Sequence, residues 1–355
     1  MNKSFRLLLQ LLLYVFIVIV IYLGVIIFVG TITDYRPKAI TTLNVSGNGI
    51  KGNISDSTFT FLTWNIGYCG LGAEMDFFYD GGKNVRTAPQ LVNKYTSGML
   101  NFLQSVDTVD FIFLQEVDKK SARTGNQNEV KMVENTMTGY AASYGTNYDV
   151  WFVPLPFIKP LGKVEMGQMI LSRFQPETAQ RFSYFSKYAW PKRLFMLDRC
   201  FLVSKFPLNN GKELVVFNTH NSAYDAGGKL RNVEMPLIRD LMLQEYKKGN
   251  YVVAGGDWNQ NPPGYETEKM DKTYPAVYGQ KMDQTLFPTG WHFVFDTTHA
   301  TNREIDAPLT PGKTDVTVID FFILSPNVNA ENIKVIPLNF QNSDHNPVFI
   351  KLKIN

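Results

Sequence analysis

The sequence predicts a layered α/β sandwich preceded by one N-terminal membrane-spanning helix. Three features predict this: an uncharged apolar run near the N-terminus, a series of short apolar segments rich in Val, Ile and Phe, and two longer segments with helical spacing. The chain has 355 residues, of which 45% are hydrophobic and 14% aromatic, so it can bury a large core. Its formal net charge of +3 gives no reason to expect a strongly cationic nucleic-acid surface.

The first element is the run from Leu7 to Val29, which contains no charged residue and only Gln10 as a strongly polar one. At 1.5 Å per residue this run reaches roughly 34 Å, enough to cross the hydrocarbon core of a bilayer. No small-residue cleavage site follows before Asp34, which favours a retained anchor over a removed signal peptide or a buried core helix. We therefore expect residues 1–30 to form a single-pass membrane anchor.

The charges that flank this run bear on its orientation. Lys3 and Arg6 favour a cytoplasmic N-terminus and a catalytic part on the extracytoplasmic side, whereas Arg36 and Lys38 oppose that orientation. We expect the globular part to be exported.

The rest of the chain divides into two parts. Residues 31–57 are rich in Thr, Asn, Gly and Ser with little apolar periodicity, which predicts a linker between the anchor and a globular domain at 58–355. The two cysteines, Cys69 and Cys200, form no disulfide framework or zinc motif; two buried thiols or a single bridge both remain open. Neither composition nor motif implies a protein partner.

Short apolar runs within the globular domain have the length and β-branched content of strands, and several are too uniformly apolar to have one face in water. The predicted strands are 58–66, 109–117, 163–174, 194–206, 213–221, 251–259, 315–325 and 346–354. Residues 85–106 and 229–249 have helical spacing instead, and the second ends in Lys-Lys-Gly, as a helix C-terminus does. Strands buried on both faces with helices between them predict the layered sandwich.

Polar side chains occur inside or at the ends of these apolar strands, where an unpartnered carboxylate or amide would cost several kcal/mol. They are Asn65, Glu116, His220 with Asn221, Asp257 with Asn259, and Asp320. Any one of them is explained by a satisfied structural group. Their recurrence on separate strands predicts one shared polar site at an edge of the sheets.

Six short motifs carry a resemblance to a known family: WN (64–65), QE (115–116), NTH (218–220), GDWN (256–259), IDFF (319–322) and SDH (343–345). Their order resembles that of the endonuclease/exonuclease/phosphatase superfamily, which includes DNase I-like nucleases, neutral sphingomyelinases and inositol-phosphate phosphatases. The resemblance implies a four-layered α/β sandwich of two mixed β-sheets flanked by helices. It also implies a divalent metal, usually Mg²⁺, and hydrolysis of a phosphate ester by an in-line water.

The oxygen-bearing residues among them are candidate metal ligands. Glu116 is a hard oxygen ligand supported by the Asn65 amide oxygen, and such ligands suit Mg²⁺ or Mn²⁺ rather than zinc. The resemblance implies that Asp344 lies at or near the metal. Gly67 stands where several related nucleases have an acidic residue, which puts a second metal contact there in doubt.

The resemblance also implies catalytic roles. Asp257 would orient or activate the attacking water, and Asn259 would hold that water or the phosphate, although GGDWN is also typical of a glycine-rich turn. His220 would contact the phosphate or assist the leaving group.

The segment SDHNP lies in the turn before the last predicted strand, because Pro347 restricts the residue before it. The resemblance gives His345 a role facing the phosphate, with Asp320 hydrogen-bonded to its other ring nitrogen. A carboxylate there fixes the tautomer and raises the pKa of the imidazole. Arg199 is a further candidate phosphate donor, with a salt bridge to Asp198 as the alternative, and His292 and His299 have no motif context.

The substrate is the least determined feature. Two segments are suggestive: residues 151–162, which contain aromatic residues and prolines, and residues 181–195, which interleave aromatic and basic side chains, Lys187 among them. Such segments could stack on bases, lie at a lipid headgroup layer, or pack on the sandwich. The anchor favours a phospholipid or another extracytoplasmic phosphodiester. The alternatives are a metal-dependent DNA or RNA nuclease and an inactive membrane-anchored binding module.

Overall fold

The structure is a computed structural model that describes residues 3–185, 188–223, 225 and 227–355. Lys187 of the aromatic and basic segment, and the first two residues of the predicted anchor, lie outside the described residues. The helices are α1 (Lys3–Ile32), α2 (Pro89–Ser105), α3 (Glu129–Thr136) and α4 (Arg231–Lys247). By length and composition, α1 could cross a membrane.

The described residues form sixteen strands. They are β1 (Ile40–Thr42), β2 (Val45–Gly47), β3 (Thr58–Asn65), β4 (Phe111–Asp118), β5 (Ala141–Val153), β6 (Gly162–Ser172), β7 (Thr178–Ser183), β8 (Cys200–Pro207), β9 (Glu213–His220), β10 (Tyr251–Asp257), β11 (His292–Val294), β12 (Asn302–Arg303), β13 (Val316–Thr317), β14 (Asp320–Leu324), β15 (Val328–Val335) and β16 (Val348–Ile354).

Two seven-stranded sheets form the centre of the fold. The first, called the β9–β10 sheet, has the order β1-β7-β8-β9-β10-β14-β11, and the second, called the β3–β4 sheet, has the order β15-β16-β3-β4-β6-β5-β2. Both are mixed, because β9 and β10 are parallel, as are β3 and β4, among antiparallel neighbours. Helix α4 packs on the outer face of the β9–β10 sheet, and α2 and α3 pack on that of the β3–β4 sheet. The predicted four-layered sandwich is confirmed.

Alternation along the central strands explains why they are apolar throughout. In β4, Phe111 and Phe113 point between the two sheets, whereas Ile112 and Leu114 point toward α2 and α3. The aromatic ring of Phe61 on the neighbouring strand stacks on that of Phe111 with 4.5 Å between centroids. Because both faces of these strands are covered, neither face needs polar residues.

The structure differs from the sequence prediction at the edges. Residues 31–57 contribute β1 and β2, which pair with β7 and β5 and add an edge strand to each sheet, so they are not a free spacer. Strands β5, β7 and β15 and helix α3 were not predicted, because their sequences mix polar and apolar residues. The predicted strand 194–206 begins only at Cys200, since Lys192–Phe195 form a 3₁₀ turn. Cys69 and Cys200 are both free and buried.

One glycine is required for the parallel pairing of β9 and β10. Gly256 has φ +144°, and a Cβ there would lie 2.1 Å from the carbonyl oxygen of Thr219 on β9. Since no side chain can occupy that space, Gly256 lets the two strand ends approach closely.

Replacing Gly256 with alanine should therefore destabilise the protein by more than the strain of a positive φ alone would. Gly264 is a matched control, because it has φ +84° but a Cβ added there would meet no atom within 4 Å. We expect Gly264→Ala to lower the free energy of unfolding by about 1–2 kcal/mol, and Gly256→Ala by about 1–3 kcal/mol more because of the overlap. Denaturant unfolding of the full chain in detergent micelles measures both losses, and equal losses would contradict this account.

Candidate active site

The polar side chains converge because of the strand order. Asn65 ends β3, and His220 and Asp257 end the parallel strands β9 and β10. Asp320 begins β14, which is antiparallel to β10, so Asp257 pairs in register with both His220 and Asp320. Register partners share one face of a sheet. The predicted shared site at one edge of both sheets therefore exists in the structure.

Glu116 reaches this site through a break in strand geometry. In a regular strand its side chain would point away from that of Gln115. The pairing of β4 with β6 is bulged between Leu114 and Val117, and Glu116 has φ +54°, a left-handed conformation that costs a non-glycine residue about 1–2 kcal/mol. As a result Oε1 of Glu116 lies 3.3 Å from Nδ2 of Asn65. The strained backbone of Glu116 therefore coincides with a side chain that points into the site.

Asn65 and His220 bridge the carboxylates. Asn65 Nδ2 also donates to Asp257 Oδ2 at 3.1 Å. His220 Nε2 lies 3.5 Å from Asp257 Oδ2 and 3.7 Å from Glu116 Oε1. Burial, followed by the nearby charges of Arg199 and His345, lowers the pKa of His220 well below its usual value, so this ring is neutral.

His345 is held as a cation. Although burial opposes its charge, Asp320, Asp344 and Asp257 raise the pKa of His345 to about 10. Its Nδ1 lies 2.8 Å from Asp320 Oδ2, as the sequence analysis predicts, and its Nε2 lies 3.0 Å from Asn302 Nδ2. Because a protonated Nε2 and an amide Nδ2 both donate, the Asn302 amide would turn its Oδ1 toward the cation. The two imidazoles therefore differ in charge, which suits different chemical roles.

The carboxylates are crowded. Burial and the charge of Asp320 raise the pKa of Asp257 to about 7. Burial and the charge of Asp344 raise the pKa of Glu116, and burial also raises that of Asp344. Each carboxylate thus resists adding another negative charge, and a bound cation would relieve this repulsion.

The position of Asp344 leaves no room for a side chain at Gly67. Gly67 has φ +51°, and a Cβ at this position would lie 2.7 Å from Asp344 Oδ1. An acidic side chain at position 67 would compete with Asp344 for the same space. Asp344 is oriented by Ser343, whose Oγ donates to the Asn65 carbonyl oxygen at 2.8 Å and lies 3.3 Å from Asp344 Oδ1.

The remaining predicted residues also border the site. Asn259 has φ +51°, its backbone N–H donates to Asp257 Oδ1 at 2.9 Å, and its Nδ2 donates to the Asn221 carbonyl oxygen at 2.9 Å. Arg199 is buried, and its guanidinium lies 3.4 Å from the His220 carbonyl oxygen. His292 lies on edge strand β11, and His299 contacts Thr298, so neither joins the site.

The oxygen- and nitrogen-bearing side chains of the site fit a divalent cation, and two different groups of them could hold it. Ligand atoms of Asp257, Asp320 and His345 lie within 4.8 Å of one another. However, a protonated His345 cannot ligate a metal, and Asp320 Oδ2 is engaged with it. Glu116 and Asp344 line open space, and the Asn65 amide lies beside Glu116, so these three residues offer oxygen ligands of the kind that suits a hard cation. Asn65 would turn its Oδ1, which accepts from Gly67 N at 3.0 Å, toward such an ion.

A cavity of about 790 Å³ opens directly onto these residues. Glu116, Asp257 and His345 line one end, and Arg199, His220 and Asn259 also border it. The rest of the wall is mainly aromatic and aliphatic, and includes Tyr68, Leu71, Phe77, Tyr148, Val153, Leu155, Leu161, Phe195, Leu197 and Ile305. The segments 151–162 and 181–195 that the sequence analysis singled out supply Val153, Leu155, Leu161 and Phe195 of this wall. Sequence reasoning missed the rest of the wall and Asn302, because these residues belong to no motif.

Solved structures share this fold. An endonuclease/exonuclease/phosphatase from Beutenbergia cavernae superposes with a TM-score of 0.53 at 15% identity over 84% of this chain and 72% of that chain. D. rerio TDP2 complexed with a single-strand DNA product gives 0.53 at 14% identity over 84% and 100%. ANGEL2, a 2′,3′-cyclic phosphatase, in complex with adenosine-2′,3′-vanadate gives 0.54 at 16% identity over 88% and 99%.

The sequence comparisons give one match. No curated protein matches the chain. The model of the Endonuclease/Exonuclease/phosphatase family matches residues 62–345, which span the converging strand ends from β3 to the SDH turn. The chain therefore belongs to the endonuclease/exonuclease/phosphatase family, whose members are phosphoester hydrolases.

Proposed function

We propose that the protein is a membrane-anchored, Mg²⁺-dependent phosphodiesterase that hydrolyses a phospholipid or another extracytoplasmic phosphodiester. Residues 1–30 would be the anchor and residues 58–355 the catalytic domain, with β1 and β2 joining the two. The observation that carries this proposal is the cavity, which has buried carboxylates, amides and imidazoles at one end and a mainly apolar wall elsewhere. A polar end suits a phosphate, and an apolar wall suits the remainder of a lipid.

In this proposal the residues of the chain position the reactants. Asp257 accepts a proton from the attacking water, and Asn259, which already bonds to Asp257, holds that water or a phosphate oxygen. The His345 cation, held by Asp320, and the Arg199 guanidinium stabilise charge that develops on the phosphoryl oxygens. Neutral His220 donates a hydrogen bond to the phosphate or the leaving oxygen.

Glu116, Asn65 and Asp344 would hold the metal. When bound, a divalent cation neutralises the non-bridging phosphate oxygens and so lowers the barrier to attack. Mn²⁺ also prefers oxygen ligands and would serve in place of Mg²⁺.

A substrate panel tests the proposal. The full chain in detergent micelles, with Mg²⁺, is compared on phosphatidylcholine, sphingomyelin, plasmid DNA, RNA and inositol phosphates. We expect the fastest turnover on a phosphodiester lipid. Faster cleavage of DNA or RNA than of any lipid would overturn the lipid assignment in favour of a nuclease.

The role of Asp257 predicts a large loss of activity when its charge is removed. We expect Asp257→Asn to lower kcat on bis-p-nitrophenyl phosphate by about 10²–10⁴-fold, the usual contribution of a general base. Asp107→Asn, the same change at an exposed position, should leave kcat unchanged. Undetectable turnover by the unsubstituted chain with every divalent metal would instead favour an inactive binding module.

If Glu116 is a metal ligand, neutralising its side chain should lower the affinity for Mg²⁺ but raise the stability of the metal-free protein. Glu116→Gln should weaken Mg²⁺ binding by at least about 10–100-fold, the loss seen when even a supporting partner of a metal ligand is removed. It should also raise the Tm of the metal-free protein, because one of several crowded negative charges is lost. Calorimetric titration and thermal unfolding measure these effects, and Glu177→Gln at an exposed position is the control. Unchanged Mg²⁺ affinity would show that Glu116 is not a ligand.

A further inference from the structure

The connection between β5 and β6 exposes large apolar side chains. We call residues 154–160, sequence PLPFIKP, the hairpin tip. Phe157 is 67% exposed and Ile158 is 94% exposed, and outside α1 they are the two most exposed large apolar residues of the described chain. Adjacent exposed apolar side chains at a loop end are unfavourable in water and indicate a surface that meets another apolar phase.

The C-terminal end of α1 packs against the same part of the domain. Ile26 and Gly30 are buried, and α1 contacts β5 and the 3₁₀ turn Lys192–Phe195. A Cβ on Gly30 would lie 3.6 Å from both Trp151 Nε1 and Leu194 Cδ1. Trp151 is on β5, immediately before the hairpin tip. The anchor and the hairpin tip therefore flank the same end of one strand.

Polar bonds continue this contact beyond the helix. Trp190 Nε1 lies 3.3 Å from Thr31 Oγ1, and Arg193 forms an ion pair of 3.0 Å with Asp34. Strand β1 then follows within a few residues and pairs with β7. With no free spacer between them, the anchor sets the orientation of the domain.

The depth of the membrane boundary follows from the length of α1. The residues from Leu7 to Val25 span roughly 28 Å, close to the thickness of the hydrocarbon core. Ile26, the next residue, is covered by the domain. The domain surface around Trp151 and Trp190 therefore lies at the level of the lipid headgroups, where tryptophan is favoured.

The active-site cavity is lined in part by these membrane-proximal segments. Leu155 of the hairpin tip lines it, as do Lys192, Phe195 and Leu197 of the segment that contacts the anchor. The Tyr79 hydroxyl, also at the cavity, donates to the Leu155 carbonyl oxygen at 2.8 Å and holds the base of the tip. The same cavity ends at Glu116, Asp257 and His345. One cavity with a mainly apolar lining is thus shared by the membrane-proximal segments and the reactive groups.

We propose that the hairpin tip inserts into the leaflet at which α1 ends, and that the enzyme draws a phosphodiester lipid from that leaflet into the cavity. Phe157 and Ile158 enter the acyl region and Lys159 remains at the headgroups. The phosphate reaches the carboxylate and imidazole end, while the apolar part of the lipid stays against the cavity wall. Insertion rests on the proposed anchoring by α1 and on the position of the tip beside it, whereas lipid entry also rests on the proposed phosphodiesterase activity.

The insertion is tested by a depth measurement that does not require catalysis. Because Cys69 and Cys200 are both buried, a thiol-reactive NBD fluorophore will label an introduced surface cysteine selectively. Ile50 is the matched control: it is 56% exposed and bridges Phe174, which lies just beyond β6 at the opposite end of the β5–β6 hairpin. Full-length Ile158→Cys and Ile50→Cys proteins are reconstituted into phosphatidylcholine and phosphatidylglycerol vesicles that contain lipids spin-labelled on the acyl chain.

We expect blue-shifted NBD emission and strong quenching at position 158, and neither at position 50. Equal emission and quenching at both positions would overturn insertion of the hairpin tip, whether or not the protein is an enzyme.

Lipid entry is tested with charge substitutions at the same two positions. Ile158→Asp should lower hydrolysis of vesicle phospholipid at least about tenfold, because a charge in the acyl region opposes insertion. It should leave turnover of soluble bis-p-nitrophenyl phosphate unchanged, and Ile50→Asp should change neither rate. Equal loss on both substrates would overturn the role in lipid entry. Absence of all phosphodiester turnover in the unsubstituted protein would refute the proposed function and leave the depth measurement to decide insertion.

Discussion

Compensation of buried negative charge at one edge of the two sheets is the constraint on which this structure depends. Glu116, Asp257, Asp320 and Asp344 approach one another there, and an uncompensated buried carboxylate costs several kcal/mol. The surrounding groups are those that can offset the cost: the amide of Asn65, two imidazoles and nearby guanidinium groups. The compensation is incomplete, since the pKa values of Glu116, Asp257 and Asp344 all remain raised. Repulsion among buried carboxylates that the protein itself does not fully offset is the property expected of a site that binds a cation.

The buried layer beneath the site holds these groups in place. Gln115 donates to Asn218 at 2.7 Å across the two sheets, and Asn218 in turn donates to the carbonyl oxygens of Leu114 and Met169. These bonds tie β4, β6 and β9 together next to Glu116 and His220, which line the cavity. The QE and NTH motifs thus each contain one residue that faces the site and one that joins the sheets. A rigid base of this kind limits movement of the groups that must act together.

Much of the fold could be predicted because its central strands are covered on both faces, which leaves an uninterrupted apolar signal in β3, β4, β9, β10 and β14. Edge elements lack that signal. Strand β15 is exposed along most of its length, and β1 and β2 have only three residues each, so polar composition resembled a linker. That Asn65, Glu116, His220, Asp257 and Asp320 converge could be predicted because polar groups are conspicuous at the ends of apolar strands. Asn302 and most of the cavity wall could not, since they come from loops and from strands such as β5 and β12 whose sequences carry no motif.

The sequence by itself determined the element types at the centre of the fold, the apolar N-terminal helix and the set of polar residues that terminate the strands, because each of these is a local pattern. Only the tertiary structure decided that Glu116 turns into the site through a strained bulge, and that the two imidazoles differ in charge. Only the tertiary structure also placed the mainly apolar cavity beside the turn that contacts α1. These properties depend on distances between segments far apart in the chain, and on the burial that such contacts create, which no local pattern of residues specifies.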